Sequence, residues 1–544
     1  MAATTLKTAL LGEVQGKTAD GVTQYLGIKY ASLRDRLAVA EVTDHGNRDI
    51  VLNATTYGPT AVSPPFGCEL EQSAIQHTLP RKAISQSDVS CLTLNITVPS
   101  GTTPASKLPV FIFIHGGGLV TGGTSWPQYD MARFVRLSVE KKLPIIAVSV
   151  NYRLGIFGFL TSEELRNAGY KPNNGLRDQR AAMLWVQKHI HCFGGDNQNV
   201  TLAGMSAGAV TAAVTLHLRC SDNLFSRAIA MSGSYFMTPP LSLDAHEEGY
   251  RQAMKALGLA DMTPEQRLRV LLDNPAQELM SKIPPTVPIA FATDGELIPS
   301  AMTFAQTKSY GGMKPEADGA CIDLMIGNAQ MDASICSFST PHWRQNAAQN
   351  LITAMYDVLA AKPAEARELL EKYSIAYDTP DDEAFSAVLN FINDVVSFAP
   401  VMSFAQGWKG NVHVYYFNEG NPWEGPWKGQ PSHLLDIAYL FQNYSEYLGE
   451  QQQAVATAFA EDFFRFCYGF SPWPVVDKQG NERGFAARVY GPSDKGLSAT
   501  ITAQPYGGET MRRNIIFGKA DKVSLDDLLM VVPKFALHAS VGIQ

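Results

Sequence analysis

Leu202-Ala-Gly-Met-Ser-Ala-Gly-Ala209 follows directly on an apolar run, Val200-Thr-Leu-Ala203, and continues through small residues to Val214. Gly204 permits a tight turn. Small neighbours on both sides of Ser206 suit a strained strand-to-helix elbow, in which a larger side chain would strike adjacent backbone. Such an elbow lifts a hydroxyl clear of the chain at a helix start, where free amides and the positive dipole end stabilise negative charge. The G-x-S-x-G letters alone are weak, because a structural serine at a close helix contact produces the same pattern. Its surroundings decide between the two.

Other apolar runs have strand length and strand chemistry: Leu108–Ile114, Pro144–Val150, Ala228–Met231, Ile322–Ile326 and Val412–Phe417. Most are continuous rather than alternating, as parallel strands covered on both faces are. Between them Met183, Val186, Ile190 and Phe193 recur at helical spacing until Gly194-Gly195 stops the pattern. Strands alternating with helices predict an α/β architecture with a large, mostly parallel central sheet flanked by helices. Gly12 opens the first expected strand, and Ala19-Asp20-Gly21 is the turn of a small N-terminal antiparallel hairpin. No linker, charge block or repeat cuts the 544 residues. Residues 1–544 therefore read as one domain, with a more polar, helical insertion at roughly 240–400 that covers the sheet end and shapes substrate access.

A second constellation is more specific. The run ending at Ile114 passes straight into His115-Gly-Gly-Gly118. Three glycines expose backbone amides, so Gly117, Gly118 and the N–H of Ala207 are candidate donors to a developing oxyanion. A phosphate loop would need Lys-Ser/Thr or a G-x-G-x-x-G rhythm, and Leu119-Val-Thr121 supplies neither. A serine nucleophile needs a base, and the base an orienting carboxylate. Of eleven histidines, His433 sits in a Gly/Pro-bounded loop after the Val412–Phe417 strand, whereas His189, His191 and His217 fall in helical patterns, His413 within a strand, His538 in the tail and His342 at the edge of the inserted region. Ligand-facing loops lie beyond the carboxyl ends of strands. Asp332 follows Ile322–Ile326 by one turn; Asp294 precedes that strand and Asp323 lies inside it. The chain order Ser206, Asp332, His433 matches the α/β-hydrolase template.

Composition narrows the partners. At 45% hydrophobic, 18% charged and a formal net charge of -8, the chain lacks the clustered cations of a nucleic-acid surface. No run approaches the ~20 apolar residues of a membrane span. The longest apolar run near the N-terminus is Ala9-Leu-Leu11, too short for a secretory leader, so a cytoplasmic protein is expected. Seven cysteines leave at least one thiol unpaired. Four sequons, at Asn53, Asn95, Asn199 and Asn443, are then expected to be unused. Trp126, Trp343 and Trp423 are pocket candidates whose commoner role is core packing.

With these residues in place the chain resembles the type-B carboxylesterase and lipase family, which includes the cholinesterases. The likeness is densest in FIHGGG (113–118), SVNYRLGIFGFL (149–160) and NNGLRDQRAAMLWVQKHIHCFGGDNQNVTLAGMSAG (173–208), with CLTLNI (91–96), DGELIP (294–299) and HLLDIAYLF (433–441) besides. The resemblance implies the α/β-hydrolase fold and ester cleavage through an acyl-serine, with no metal or organic cofactor. It places nucleophile, acid and base on Ser206, Asp332 and His433, and the oxyanion donors on Gly117, Gly118 and Ala207. It also implies a disulfide between Cys68 and Cys91, and a hydrogen bond from Ser232 to the acid. Met205 stands where the family commonly has Glu, which argues against cationic substrates and for a neutral, moderately bulky ester. Acyl transfer or cyclisation would use the same acyl-serine, a lipase would add an apolar lid, and a non-catalytic adhesion protein would have lost the serine. The ester itself and the oligomeric state lie outside these signals.

Overall fold

The computed structural model describes residues 2–44, 51–208, 224–285, 287–309, 323–476, 485–496, 498–501, 513, 516 and 522–540. Among these residues a thirteen-stranded sheet runs through the molecule. In spatial order its strands are Ala2–Thr8, Gly12–Ala19, Val22–Lys29, Thr93–Pro99, Ile146–Val150, Leu108–Ile114, Gly195–Met205, Arg227–Met231, Asp323–Ala329, Asn411–Phe417, Ala487–Tyr490 and Ser498–Ile501, with Leu52–Asn53 paired beside Gly12–Ala19. The stretch from Ile146–Val150 to Ala487–Tyr490 is parallel throughout, and both edges are antiparallel. Parallel strands must be covered on both faces. Accordingly Val110, Ile112 and Ile114 join one buried cluster and Phe111 and Phe113 the other.

The six apolar runs read as strands all pair in this sheet, with ends displaced by a few residues. Five strands of this sheet have no counterpart in the sequence reading: Leu52–Asn53, Thr93–Pro99, Ala487–Tyr490, Ser498–Ile501 and Ala2–Thr8, the last of which pairs with Gly12–Ala19 and turns the N-terminal hairpin into a three-strand meander. The alternating AATTLKT of Ala2–Thr8 carries one strong apolar residue, and exposed edge pairing leaves little hydrophobic signal. The helix expected through Phe193 is α-helical over Asn174–His189 and finishes as a 3-10 turn, Ile190–Phe193. Most of the helix expected after Ser206, together with His217, Cys220 and Cys321, lies outside the described residues.

Helices fill the region from Leu243 to Gly407, but the Asp323–Ala329 strand passes through it and splits it in two. Within it one 27-residue helical run, Asp381–Gly407, is long and apolar enough to cross a bilayer by composition, against the expectation of none. Its most apolar window is 89% buried inside the fold, because it packs as a core helix. A π-helical turn, Asn393–Phe398, interrupts it just before Pro400. Proline has no N–H to give the carbonyl one turn back, which accounts for the irregular winding.

Topology sets where loops converge. Leu108–Ile114 has the next strand in sequence, Ile146–Val150, on one side and Gly195–Met205 on the other. The strand order therefore reverses here, which opens a crevice at the carboxyl ends. Ile114, Gly204, Ala230, Ile326 and Val414 stand on one register row, so the loops that follow them leave from one edge of the sheet.

Candidate active site

At the end of the Gly195–Met205 strand, Ser206 turns with φ +54°. A side chain in this left-handed region costs about 1–2 kcal/mol. The surrounding structure holds it there: the Ser206 N–H donates to the Met231 carbonyl at 2.9 Å. Gly208 packs so tightly that a Cβ would lie 2.1 Å from the Ile114 carbonyl oxygen and 2.6 Å from that of His115. The last position of the motif is thus glycine because the elbow is pressed against the strand that delivers the glycine loop.

In that loop Gly117 has φ +97°, and a Cβ there would sit 2.0 Å from the Thr121 carbonyl oxygen. The Gly117 carbonyl closes the turn by accepting from Val120 and Thr121. The amides of Gly117 and Gly118 donate to no other group among the described residues. Ala207 occupies the first helical turn, where amides lack intrahelical acceptors. His115 anchors the loop: buried, it stacks on Tyr152 at 4.7 Å, and its Nδ1 is 2.9 Å from the Gly116 carbonyl. Burial pulls its pKa down to about 4, so it stays neutral.

Asp332 and His433 arrive on loops stitched to each other. Met331 bridges Ser432, and the His433 N–H donates to Ser334 Oγ at 2.9 Å. His433 Nδ1 lies 2.9 Å from Asp332 Oδ1, with both side chains almost fully buried. A carboxylate accepting from Nδ1–H leaves Nε2 as the basic nitrogen. Asp294 and Asp323 are engaged elsewhere, with Asn173 and Arg177 and with Asn411 and Arg227 respectively. His413 meets Ser471, and His538 meets Asp357.

Three arrangements depart from the sequence reading. The Ser206 hydroxyl makes no hydrogen bond to His433; its neighbour is Met237 Sδ at 4.0 Å. Such bonds are often long before substrate binds and tighten only in the substrate complex. Ser232 does not bond Asp332. Its hydroxyl donates to Asp436 Oδ2 at 3.0 Å, because Asp436 lies one helical turn beyond His433 and projects under the same strand end. Cys68 and Cys91 form no disulfide and are both free. Cys68 Sγ faces Gln128, whereas Cys91 belongs to the core near Arg153 and Asp178, so the two thiols look into different layers. Met205 is wholly buried, with its sulfur packed beneath Gly116, behind the serine.

Two buried carboxylates escaped the sequence. Glu71, on the Gly67–Ile75 helix, accepts from Tyr129 Oη at 2.7 Å and Gln128 Nε2 at 3.0 Å. Burial pushes its pKa up to about 7, against those bonds and the neighbouring His433. Burial, aided by Asp332, pushes Asp436 up to about 6. Asp436 had a signal, its spacing of three from His433; Glu71 had none, since only the tertiary fold carries it to the imidazole.

The profile of the carboxylesterase family matches residues 2–470. The para-nitrobenzyl esterase of Bacillus subtilis (strain 168) is 30% identical over 444 residues, which cover 80% of this chain and 82% of that protein. The pyrethroid hydrolase Ces2a of Mus musculus is 26% identical over 497 residues, covering 86% and 85%. Among solved structures, a PNB esterase shares the fold with a TM-score of 0.72 at 23% identity, over 94% of this chain and 99% of that one.

Proposed function

The chain belongs to the carboxylesterase family and is a serine hydrolase of carboxylic esters; from that premise we propose that Ser206 is its nucleophile, His433 its general base and Asp332 the acid that orients the base. The observation that carries this reading is the buried 2.9 Å contact of Asp332 with His433 on the same sheet edge as the positive-φ Ser206. His433 Nε2 takes the hydroxyl proton as Ser206 Oγ attacks the ester carbonyl. Asp332 stabilises the imidazolium that forms, and the amides of Gly117, Gly118 and Ala207 receive the oxyanion. His433 then protonates the departing alcohol, and water repeats the relay on the acyl-serine.

The substrate is a neutral, moderately bulky small-molecule ester. Supporting this are the thioether of Met237 beside Ser206 Oγ, the absence of a carboxylate at Met205, and the relative named for para-nitrobenzyl esters. We place the protein in the cytoplasm, a reducing setting that suits the five free thiols of the described residues. The test is a panel of neutral esters, with acyl acceptors and product identification, run on the native chain beside Ser206→Ala. Hydrolysis that disappears in Ser206→Ala, with acid and alcohol as products, is expected. Hydrolysis that survives the substitution sinks the assignment.

A further inference from the structure

Beneath the loop that carries Asp332 lies a buried polar assembly with no part in the chemistry above. Asn393, the first residue of the π-helical turn, is completely buried. Its Nδ2 donates to the Gln330 carbonyl at 3.0 Å, and its Oδ1 accepts from the Ala333 N–H at 3.3 Å. One side chain therefore grips the backbone on both sides of Asp332. Gln330 is held a second time, since its Oε1 accepts from Arg513 at 3.3 Å. Arg513 is itself 4% exposed, donates to Asp394 Oδ1 at 2.9 Å, and lies over the Phe398 ring at 4.1 Å. Tyr373 donates to the other oxygen of Asp394 at 3.0 Å.

Stability alone does not require this arrangement. A buried ion pair is weak evidence for net stabilisation, because desolvation offsets its Coulombic gain. What such a network does secure is geometry. Asp332 needs that help: its Oδ1 faces His433, while its buried Oδ2 has no hydrogen-bond partner among the described residues. Its own side chain thus makes one anchoring contact, and the loop must be fixed through the backbone. The π turn is a recurrent device at functional positions. Here it brings Asn393 and Asp394, consecutive residues, to the loop and to the guanidinium. Arg513 lies beyond residue 470, where the family match ends.

We infer that Asn393, Gln330 and Arg513 form a clamp that positions the catalytic acid: they hold the 330–333 backbone so that Asp332 presents one oxygen to His433 Nδ1. This rests on the reading of Asp332 as the acid. None of the three touches the reacting atoms, so all are positioning residues, and the C-terminal segment takes part in activity through Arg513.

The experiment uses the full chain and a neutral chromogenic ester, p-nitrophenyl butyrate. It compares Asn393→Ala, Gln330→Met (nearly isosteric, without the acceptor) and Asp332→Asn. For Asn393→Ala, kcat is expected to fall about 10- to 100-fold with KM within about twofold, the pattern of a lost transition-state interaction. The acidic limb of kcat/KM moves to lower pH, because a poorly placed carboxylate stabilises the imidazolium less; Asp436 and Glu71, which also act on His433, are unchanged. Gln330→Met gives the same signature at roughly 3- to 10-fold. Wild-type kcat and an unmoved limb in both folded variants, while Asp332→Asn loses activity, overturn the clamp. If Asn393→Ala does not fold, Gln330→Met decides by the same readings. Full activity in Asp332→Asn removes the acid assignment instead, and the clamp with it.

Discussion

Ser206 and Gly117 show how much chemistry a single backbone angle carries. Both sit at positive φ, and each is pinned by hydrogen bonds: Ser206 by its N–H to the Met231 carbonyl, Gly117 by the Val120 and Thr121 amides that donate to its own carbonyl, with no room for a Cβ beside the Thr121 carbonyl. Gly117→Ala would force that carbonyl aside and tilt the donor amides. A fall in kcat of about 100-fold or more, with the fold intact by circular dichroism, is expected from losing one oxyanion donor. A second prediction concerns charge. Met205→Glu would bury a carboxylate beneath Gly116, beside the serine. The ratio of kcat/KM for a quaternary-ammonium ester over its neutral isostere should then rise about 10-fold, and an unchanged ratio removes the link between this position and substrate charge. Both sites were legible in the sequence because their signals are local: a strand end, a glycine where a turn is needed, and small flanking residues.

At the scale of elements, two loops and one helix bring Asp332, His433 and Asp436 together, and here the sequence reading was partial. The Asp332 and His433 loops could be placed beyond strand ends, but which hydroxyl meets which carboxylate could not. Ser232 bonds Asp436, which the short helix after His433 brings under the strand end. The Gly67–Ile75 helix adds Glu71, whose proton has a consequence for stability. Burial holds it above the ordinary carboxylate range, at about 7, so between pH 4.5 and 7 the folded chain binds more protons than the unfolded one. Stability from this group is complete below that window and is lost as pH rises through it, on the order of 3 kcal/mol. Asp436 adds in the same sense up to about pH 6. Glu71→Gln should flatten the decline of the apparent urea midpoint between pH 5 and 8. A variant as steep as the wild type would rule this out.

Across the whole molecule, some of the densest sequence motifs prove to be architectural. Arg153 and Asp178, from SVNYRLGIFGFL and NNGLRDQ, form a fully buried pair joined by two 2.7 Å contacts, and Arg153 also donates to the carbonyls of Arg36 and Ala38. Asp178→Ala would strand a guanidinium in the core, a loss of about 3–5 kcal/mol. It should lower the urea midpoint while leaving KM of the surviving folded enzyme unchanged; an unaltered midpoint contradicts the architectural role. The Asp381–Gly407 helix makes the complementary point. Its composition fits a bilayer, yet its apolar surface is spent on the core, and only packing distinguishes the two.

The sequence by itself determined the α/β alternation, the elbow, the glycine loop and the chain order of Ser206, Asp332 and His433, because each follows from local backbone preference and from the period of apolar residues. Only the tertiary structure decided that Cys68 and Cys91 stay apart, that Ser232 serves Asp436, that Glu71 lies near His433, and that Asn393 and Arg513 grip the loop of Asp332. Those are relations between residues up to several hundred positions apart. Their partners are chosen by how buried surfaces close around polar groups, and no local propensity encodes that choice.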